Sequence, residues 1–288
     1  MPIFQIQNKK VLQIALDQKR FPDEAALRDF FAENLVDLLG IRFLAKEYQT
    51  KDGRIDTLAI DETGAPVIIE YKWNEKDNIL PQGLFYFDWL RENRRHFDLL
   101  VEKKLGHKVK VNWDKPRVVL VAQGFDRYTL AAVKQIKYVE LIKYTPYQNG
   151  IVLLETMYSP ETSKPIAEKK TKDEESYSVH YHLGDSNEEV KKIFYYLQER
   201  TRSLPGVKEM AEQKVGITYR TTKSFVRFEF GKSYIDVLLR EPKYDDLKGM
   251  VKDITSFEWG YKGRAKIKSL QDAEYVLGLI KQSYESTL

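Results

Sequence analysis

Residues 47–73 read EYQTKDGRIDTLAIDETGAPVIIEYKW, and this stretch decides how the N-terminal half folds. Asp52-Gly53 and Thr63-Gly64 are turn dipeptides. They punctuate three short strand-like runs, 41–49, 54–61 and 66–73. Side chains alternate along a strand, so Glu70 and Lys72 share one face. An antiparallel hairpin closed around Thr63-Gly64 sends residue 57 opposite residue 70, within one position of setting Asp56 beside Glu70. Two converging carboxylates make a hard-oxygen site suited to Mg²⁺ or Mn²⁺, with the Tyr71 carbonyl as an extra ligand. Such an ion activates a water and neutralises charge building on a phosphodiester. The lysine beside it can position or deprotonate that water. The same residues have a plainer reading. Glu70 and Lys72 can be an exposed ion pair on an edge strand, worth about 0–1 kcal/mol, and Asp56 a turn residue.

Working outward, residues 21–40 show helical periodicity, with Leu27, Phe30, Phe31, Leu35 and Leu38 on one face. Asp23 stands at the N-cap and Gly40 at the C-cap. Before this helix comes a β-hairpin arm or a disordered lead-in. A longer helix is expected over about 79–104, then a buried strand at 117–124, another helix, and two more strands. Residues 158–178 are rich in Lys, Glu, Ser, Thr and Pro and read as a solvated linker. They divide a domain of residues 1–157 from one of residues 179–288. In the latter, a helix over 182–204 capped by Asp185 or Ser186, two or three antiparallel strands within 216–240 and a helix at 269–285 make a small α+β domain.

The 288 residues are 42% hydrophobic and 31% charged, enough to build a core and too much apolar content for a disordered chain. There is no cysteine. That excludes disulfides, cysteine-ligated zinc, iron–sulfur clusters and a thiol nucleophile. Four histidines leave little for a histidine-rich metal site, although His180 and His182 share a face if their segment is a strand. A net charge of +4 neither demands a nucleic-acid partner nor excludes one. No signal peptide or membrane span is visible, so a cytoplasmic protein is expected.

Arg91, Arg94 and Arg95, followed by Lys103, Lys104, Lys108 and Lys110, either contact backbone phosphate or form an ordinary solvated helix end. Tyr219, Arg220, Lys223, Phe225, Arg227, Phe228 and Lys232 interleave aromatic and basic residues. They suit base stacking, or a half-buried sheet with a charged outer face.

The pattern Asp56 … Glu70-Tyr71-Lys72 resembles the PD-(D/E)XK nuclease superfamily, with Ile55 in place of the proline. RecB-like branches of that superfamily carry a Gln-x-x-x-Tyr motif on the next helix, and Gln82-Gly83-Leu84-Phe85-Tyr86 is similar to it. Gln82 and Tyr86 share a helix face. The run from Glu47 to Trp73 is most similar to the catalytic domain of archaeal NucS/EndoMS-type endonucleases. The resemblance covers about residues 20–156. It implies an α/β restriction-endonuclease-like domain, a mixed central sheet flanked by helices, followed by the smaller α+β domain. It implies Asp56, Glu70 and Tyr71 as metal ligands for Mg²⁺ or Mn²⁺. Asp56, Glu70, Lys72, Gln82 and Glu33 would be catalytic, with Glu33 as the acid of the first core helix. Glu47 is a further site residue by the same match. Tyr86, Arg91, Arg94 and Arg95 would bind substrate. The activity implied is metal-dependent endonucleolytic cleavage of DNA, rather than RNA, in repair, restriction or defence, by a homodimer with no membrane partner. The alternative is an inactive nuclease-fold module that binds nucleic acid or a protein. The C-terminal half resembles a domain following such modules in bacterial proteins, sometimes named a predicted transport protein. That likeness rests on VRFEF (226–230), IDVLLR (235–240) and the terminal helix.

Overall fold

The computed structural model describes residues 2–73, 79–107, 109–160, 177–211, 216–255 and 260–288. The chain divides into two compact units, one of residues 1–36 and 41–164, the other of residues 165–288 with residues 37–40. Most of the expected linker, residues 161–176, lies outside the described residues, as does Lys108.

The first unit opens with a hairpin, β1 (Ile3–Gln7) and β2 (Lys10–Ile14). Its two turn residues, Asn8 and Lys9, both have positive φ, 49° and 65°, the geometry that matches the strand twist. Then come α1 (Glu24–Leu39), β3 (Ile41–Thr50), β4 (Gly53–Asp61) and β5 (Pro66–Lys72). They are followed by α2 (Ile79–Glu92), α3 (Arg94–Leu105), β6 (Arg117–Ala122), α4 (Arg127–Ala132), β7 (Val139–Tyr147) and β8 (Ile151–Tyr158). Strands β3 to β8 form one six-stranded sheet in chain order. β3, β4 and β5 are an antiparallel meander; β5, β6 and β7 are parallel; β8 returns antiparallel. The central strands carry continuous apolar runs, Val67–Ile69 in β5 and Val118–Ala122 in β6, because both faces are covered. On one face Phe31 of α1 meets Tyr71 of β5, ring centroids 5.5 Å apart. On the other, Ile79, Leu80, Phe87 and Leu90 of α2 pack with Leu58, Ile68, Val118 and Leu120.

α1 begins where Asp23 accepts a hydrogen bond from the Ala26 N–H at 2.7 Å, and ends at Gly40, whose φ of 67° suits a residue without Cβ. The helix expected over 79–104 is two helices. Asn93 breaks it: its side-chain amide donates to the Trp89 carbonyl at 2.8 Å and its backbone leaves helical geometry at φ −109°, ψ 34°.

The second unit contains α5 (Val179–Leu183), α6 (Glu188–Arg202), β9 (Lys208–Met210), β10 (Ile217–Arg220), β11 (Ser224–Phe230), β12 (Ile235–Leu239), β13 (Val251–Asp253), β14 (Gly263–Ile267) and α7 (Leu270–Glu285). Its sheet is antiparallel in the order β13-β14-β12-β11-β10-β9. Three antiparallel strands, β10, β11 and β12, stand within 216–240 as expected; β9, β13 and β14 flank them outside that stretch, β9 and β13 being too short to show a period. The cap of α6 is Asn187, which accepts from the Val190 N–H at 2.9 Å, rather than Asp185 or Ser186. His180 and His182 lie in α5, a helix, so the shared strand face they were read on does not exist. Tyr219, Phe225 and Phe228 are fully buried in the core, which removes them from any base-stacking surface. Among the described residues, no helix is long and apolar enough to cross a membrane.

Candidate active site

The turn between β4 and β5 is built by Asp61, whose Oδ1 accepts from the backbone N–H groups of Thr63 (2.8 Å) and Ala65 (3.0 Å), with Gly64 at φ 81°. It sets Thr57 across from Ile69 and carries Asp56 across from Glu70 in the next position. The register is one residue from the one the turn dipeptide suggested, and the shift matters. With period two, it puts Asp56 rather than Thr57 on the face of Glu70.

The paired ladder of β4 and β5 stops at that point, and the two carboxylates replace it. The Asp56 N–H donates to Glu70 Oε1 at 3.1 Å, and the Tyr71 N–H donates to Asp56 Oδ2 at 3.1 Å. Gln82, from the first turn of α2, donates its amide to the other Glu70 oxygen at 2.8 Å. Glu70 is 0% exposed and Asp56 5% exposed. Burial, reinforced by the Asp56 charge, pushes the Glu70 carboxyl up to about 9. Burial also raises Asp56, and the charge of Glu24 adds to it. Burial pushes up the Tyr71 phenol as well.

Lys72 stands at the end of β5 on the Glu70 face, and its Nζ donates to Glu24 Oε1 at 3.0 Å. Glu24, the first residue of α1, is the acid of that helix that meets Lys72, and it was not singled out in the sequence. Glu33 takes no such place. It is exposed, nine residues along α1, or about 13–14 Å of helix rise from Glu24. Topology explains this. α1 runs into β3 at Gly40, and β3 pairs antiparallel with β4 so that its end, Thr50, faces Gly53. The start of α1 and the start of β4 therefore lie at one end of the sheet. The available signal was an acid in the first turn of the helix, which had a sufficient explanation in the helix dipole.

Tyr86 is buried, and its hydroxyl accepts from the Arg54 N–H at 3.0 Å. It braces the β3–β4 turn, so the structure does not offer it to a substrate. Glu47 sits in β3 at φ 51°, paired with Arg54 at 2.9 Å and with the buried Arg28 at 3.3 Å. It belongs to an ion-pair network at the sheet edge. Arg91, Arg94 and Arg95 are exposed at the junction of α2 and α3, and the Arg94 guanidinium lies 5.2 Å from the Trp113 ring centroid.

Burial raises the proton affinity of both carboxylates, and the Asp56 charge adds to it at Glu70; such a pair is a donor set for a hard cation, since an ion of opposite sign offsets the cost of burying them. Among the described residues, no group of three or more His, Asp or Glu side chains is gathered as a metal site. Asp56 and Glu70 thus fit an ion that takes one or two carboxylates and completes its shell with water, as Mg²⁺ does.

Residues 179–287 match the family described as "Domain of unknown function (DUF5655)". Over 302 aligned residues the chain is 26% identical to an uncharacterised protein of Haemophilus influenzae, covering 98% of this chain and 99% of that one. Among solved structures it is similar to a repair endonuclease from Pyrococcus abyssi, at TM-score 0.28 and 18% identity over 43% of this chain and 47% of that one. It is also similar to the EndoMS–dsDNA complex, at TM-score 0.28 and 14% identity over 48% and 62%. The chain thus spans about half to three-fifths of the solved chains it resembles.

Proposed function

We propose that this protein is a metal-dependent endonuclease that hydrolyses DNA phosphodiester bonds. One observation carries the reading: Asp56 and Glu70 face each other, buried, where β4 and β5 part, with Lys72 on the same side. A bound Mg²⁺ or Mn²⁺ would supply charge neutralisation at the phosphate and a more acidic water. Asp56, Glu70 and the Tyr71 carbonyl would hold it. The chain's own groups do the rest. Gln82 fixes the Glu70 carboxylate in orientation through its amide. The Tyr71 N–H fixes that of Asp56. Lys72 offers an ammonium to the attacked phosphate or takes the proton of the attacking water, and Glu24 holds that amine at the mouth of the site.

One observation favours a second reading, a nuclease fold that binds nucleic acid without cutting it. The Lys72 amine makes its ion pair with Glu24, 3.0 Å away on α1. Cleavage of supercoiled plasmid and of labelled single-stranded, duplex and forked DNA, with Mg²⁺ or Mn²⁺, separates the two. The nuclease reading requires cutting by wild type that is lost in Asp56→Asn and in Lys72→Ala. No cutting of any substrate, together with no heat of binding at millimolar Mg²⁺ or Mn²⁺, leaves the binding module.

A further inference from the structure

We propose that Arg127 and Tyr128 form the nucleobase contact of this site, stacking an unpaired DNA base a few nucleotides from the scissile phosphate; the inference rests on the nuclease reading. The chain leaves β6 at Ala122, which is the register partner of Lys72 in the parallel pair. Segment 123–128 therefore starts beside the lysine, at the carboxyl ends of parallel strands where ligands bind. Six residues reach at most about 20 Å from that point. Phe125 and Leu130 pack onto the same cluster as Ile79 and Leu80 of α2, so α4 stands on the sheet face that Glu70 and Gln82 occupy.

A single exposed tyrosine needs no explanation, but this one is paired with a guanidinium on a capped helix start. Asp126 caps α4 by accepting from the Tyr128 N–H at 2.7 Å, the Thr129 N–H at 3.1 Å and the Thr129 hydroxyl at 2.6 Å. The Arg127 guanidinium lies 4.7 Å from the Tyr128 ring centroid and donates to its hydroxyl at 2.6 Å. The ring remains 70% exposed even so. An exposed aromatic face backed by a guanidinium has the chemistry to take a base on the ring and a phosphate on the charge. A fully paired duplex keeps its bases in the stack and offers the ring no face, so the contact discriminates in favour of unpaired bases.

The test uses the full chain and DNA carrying 2-aminopurine at an unpaired position, beside a fully paired duplex, with Ca²⁺ replacing Mg²⁺ during binding and Mg²⁺ added for cleavage. Wild type quenches the fluorescent base on binding. Tyr128→Ala loses the quench and binds the unpaired substrate roughly five- to a hundredfold more weakly, while the duplex changes less than about twofold. Tyr128→Trp restores both quench and affinity, which a merely structural role would not produce. If wild type binds and cuts but Tyr128→Ala handles both DNAs as wild type does, or loses both equally, the base contact is wrong and the nuclease reading stands. If wild type neither binds nor cuts any DNA, both are wrong.

Discussion

Glu70 is the residue whose chemistry constrains the site most. Its carboxyl is raised to about 9 by burial and by the charge of Asp56, against an unfolded value of about 4.3. The folded protein therefore binds the proton more tightly than the unfolded chain does. The stability this gives is fully present below the unfolded value and is lost as pH climbs toward 9, at no more than about 1.4 kcal/mol per pH unit. Asp56 is shifted in the same direction. Metal-free wild type should thus lose thermal stability between pH 5 and pH 9 more steeply than Glu70→Gln does; parallel melting curves would remove the argument. Millimolar Mg²⁺ should stabilise wild type, and more at pH 9 than at pH 6, because the ion must displace a proton from the pair. Titration calorimetry at three pH values reads this directly. Lys72→Ala should abolish cleavage and keep the metal heat, whereas Asp56→Asn should lose both.

At the scale of elements, α2 is the part that aligns the site, because it carries Gln82 onto Glu70. Its closeness to the sheet depends on Gly83. A Cβ there would meet Leu120 Cδ2 at 2.7 Å and Val118 Cγ1 at 3.0 Å. Alanine gains about 1 kcal/mol of helix propensity, but overpacking costs about 1–3 kcal/mol and lifts Gln82 away. Gly83→Ala should therefore lower both the melting temperature and the metal affinity, and an unchanged metal affinity would separate α2 packing from the site. Tyr86 belongs to the same helix but faces the β3–β4 turn. Tyr86→Phe removes its bond to the Arg54 N–H and should cost about 1 kcal/mol of stability with the KM for DNA unchanged. A raised KM would return Tyr86 to the substrate side.

For the whole molecule, each unit draws its core from its own residues. The cluster beneath α2 spans Leu44 to Tyr158, and the one beneath α6 and α7 spans Val179 to Tyr284. A fragment of residues 177–288 should accordingly unfold in a single cooperative transition of its own. A fragment without a sigmoidal melt would show that it borrows stability from the rest. What the amino-acid order determined here is local. Period-two alternation and a short turn bring β4 and β5 to within one residue of pairing Asp56 with Glu70, the last position being set by the Asp61 turn, and the helix that follows can be seen to carry Gln82. The Asp23 cap of α1 was legible in the same way, as a polar residue just before the apolar period. The break at Asn93 was not, because one side-chain bond to a carbonyl four residues back outweighs a continuous periodicity. Nor was the choice between Glu24 and Glu33. Both are acids on one helix, and only the direction in which α1 crosses the sheet brings its first residue, and not its tenth, to Lys72. Such direction is set by packing between elements distant in the chain, and spacing along the chain carries no record of it.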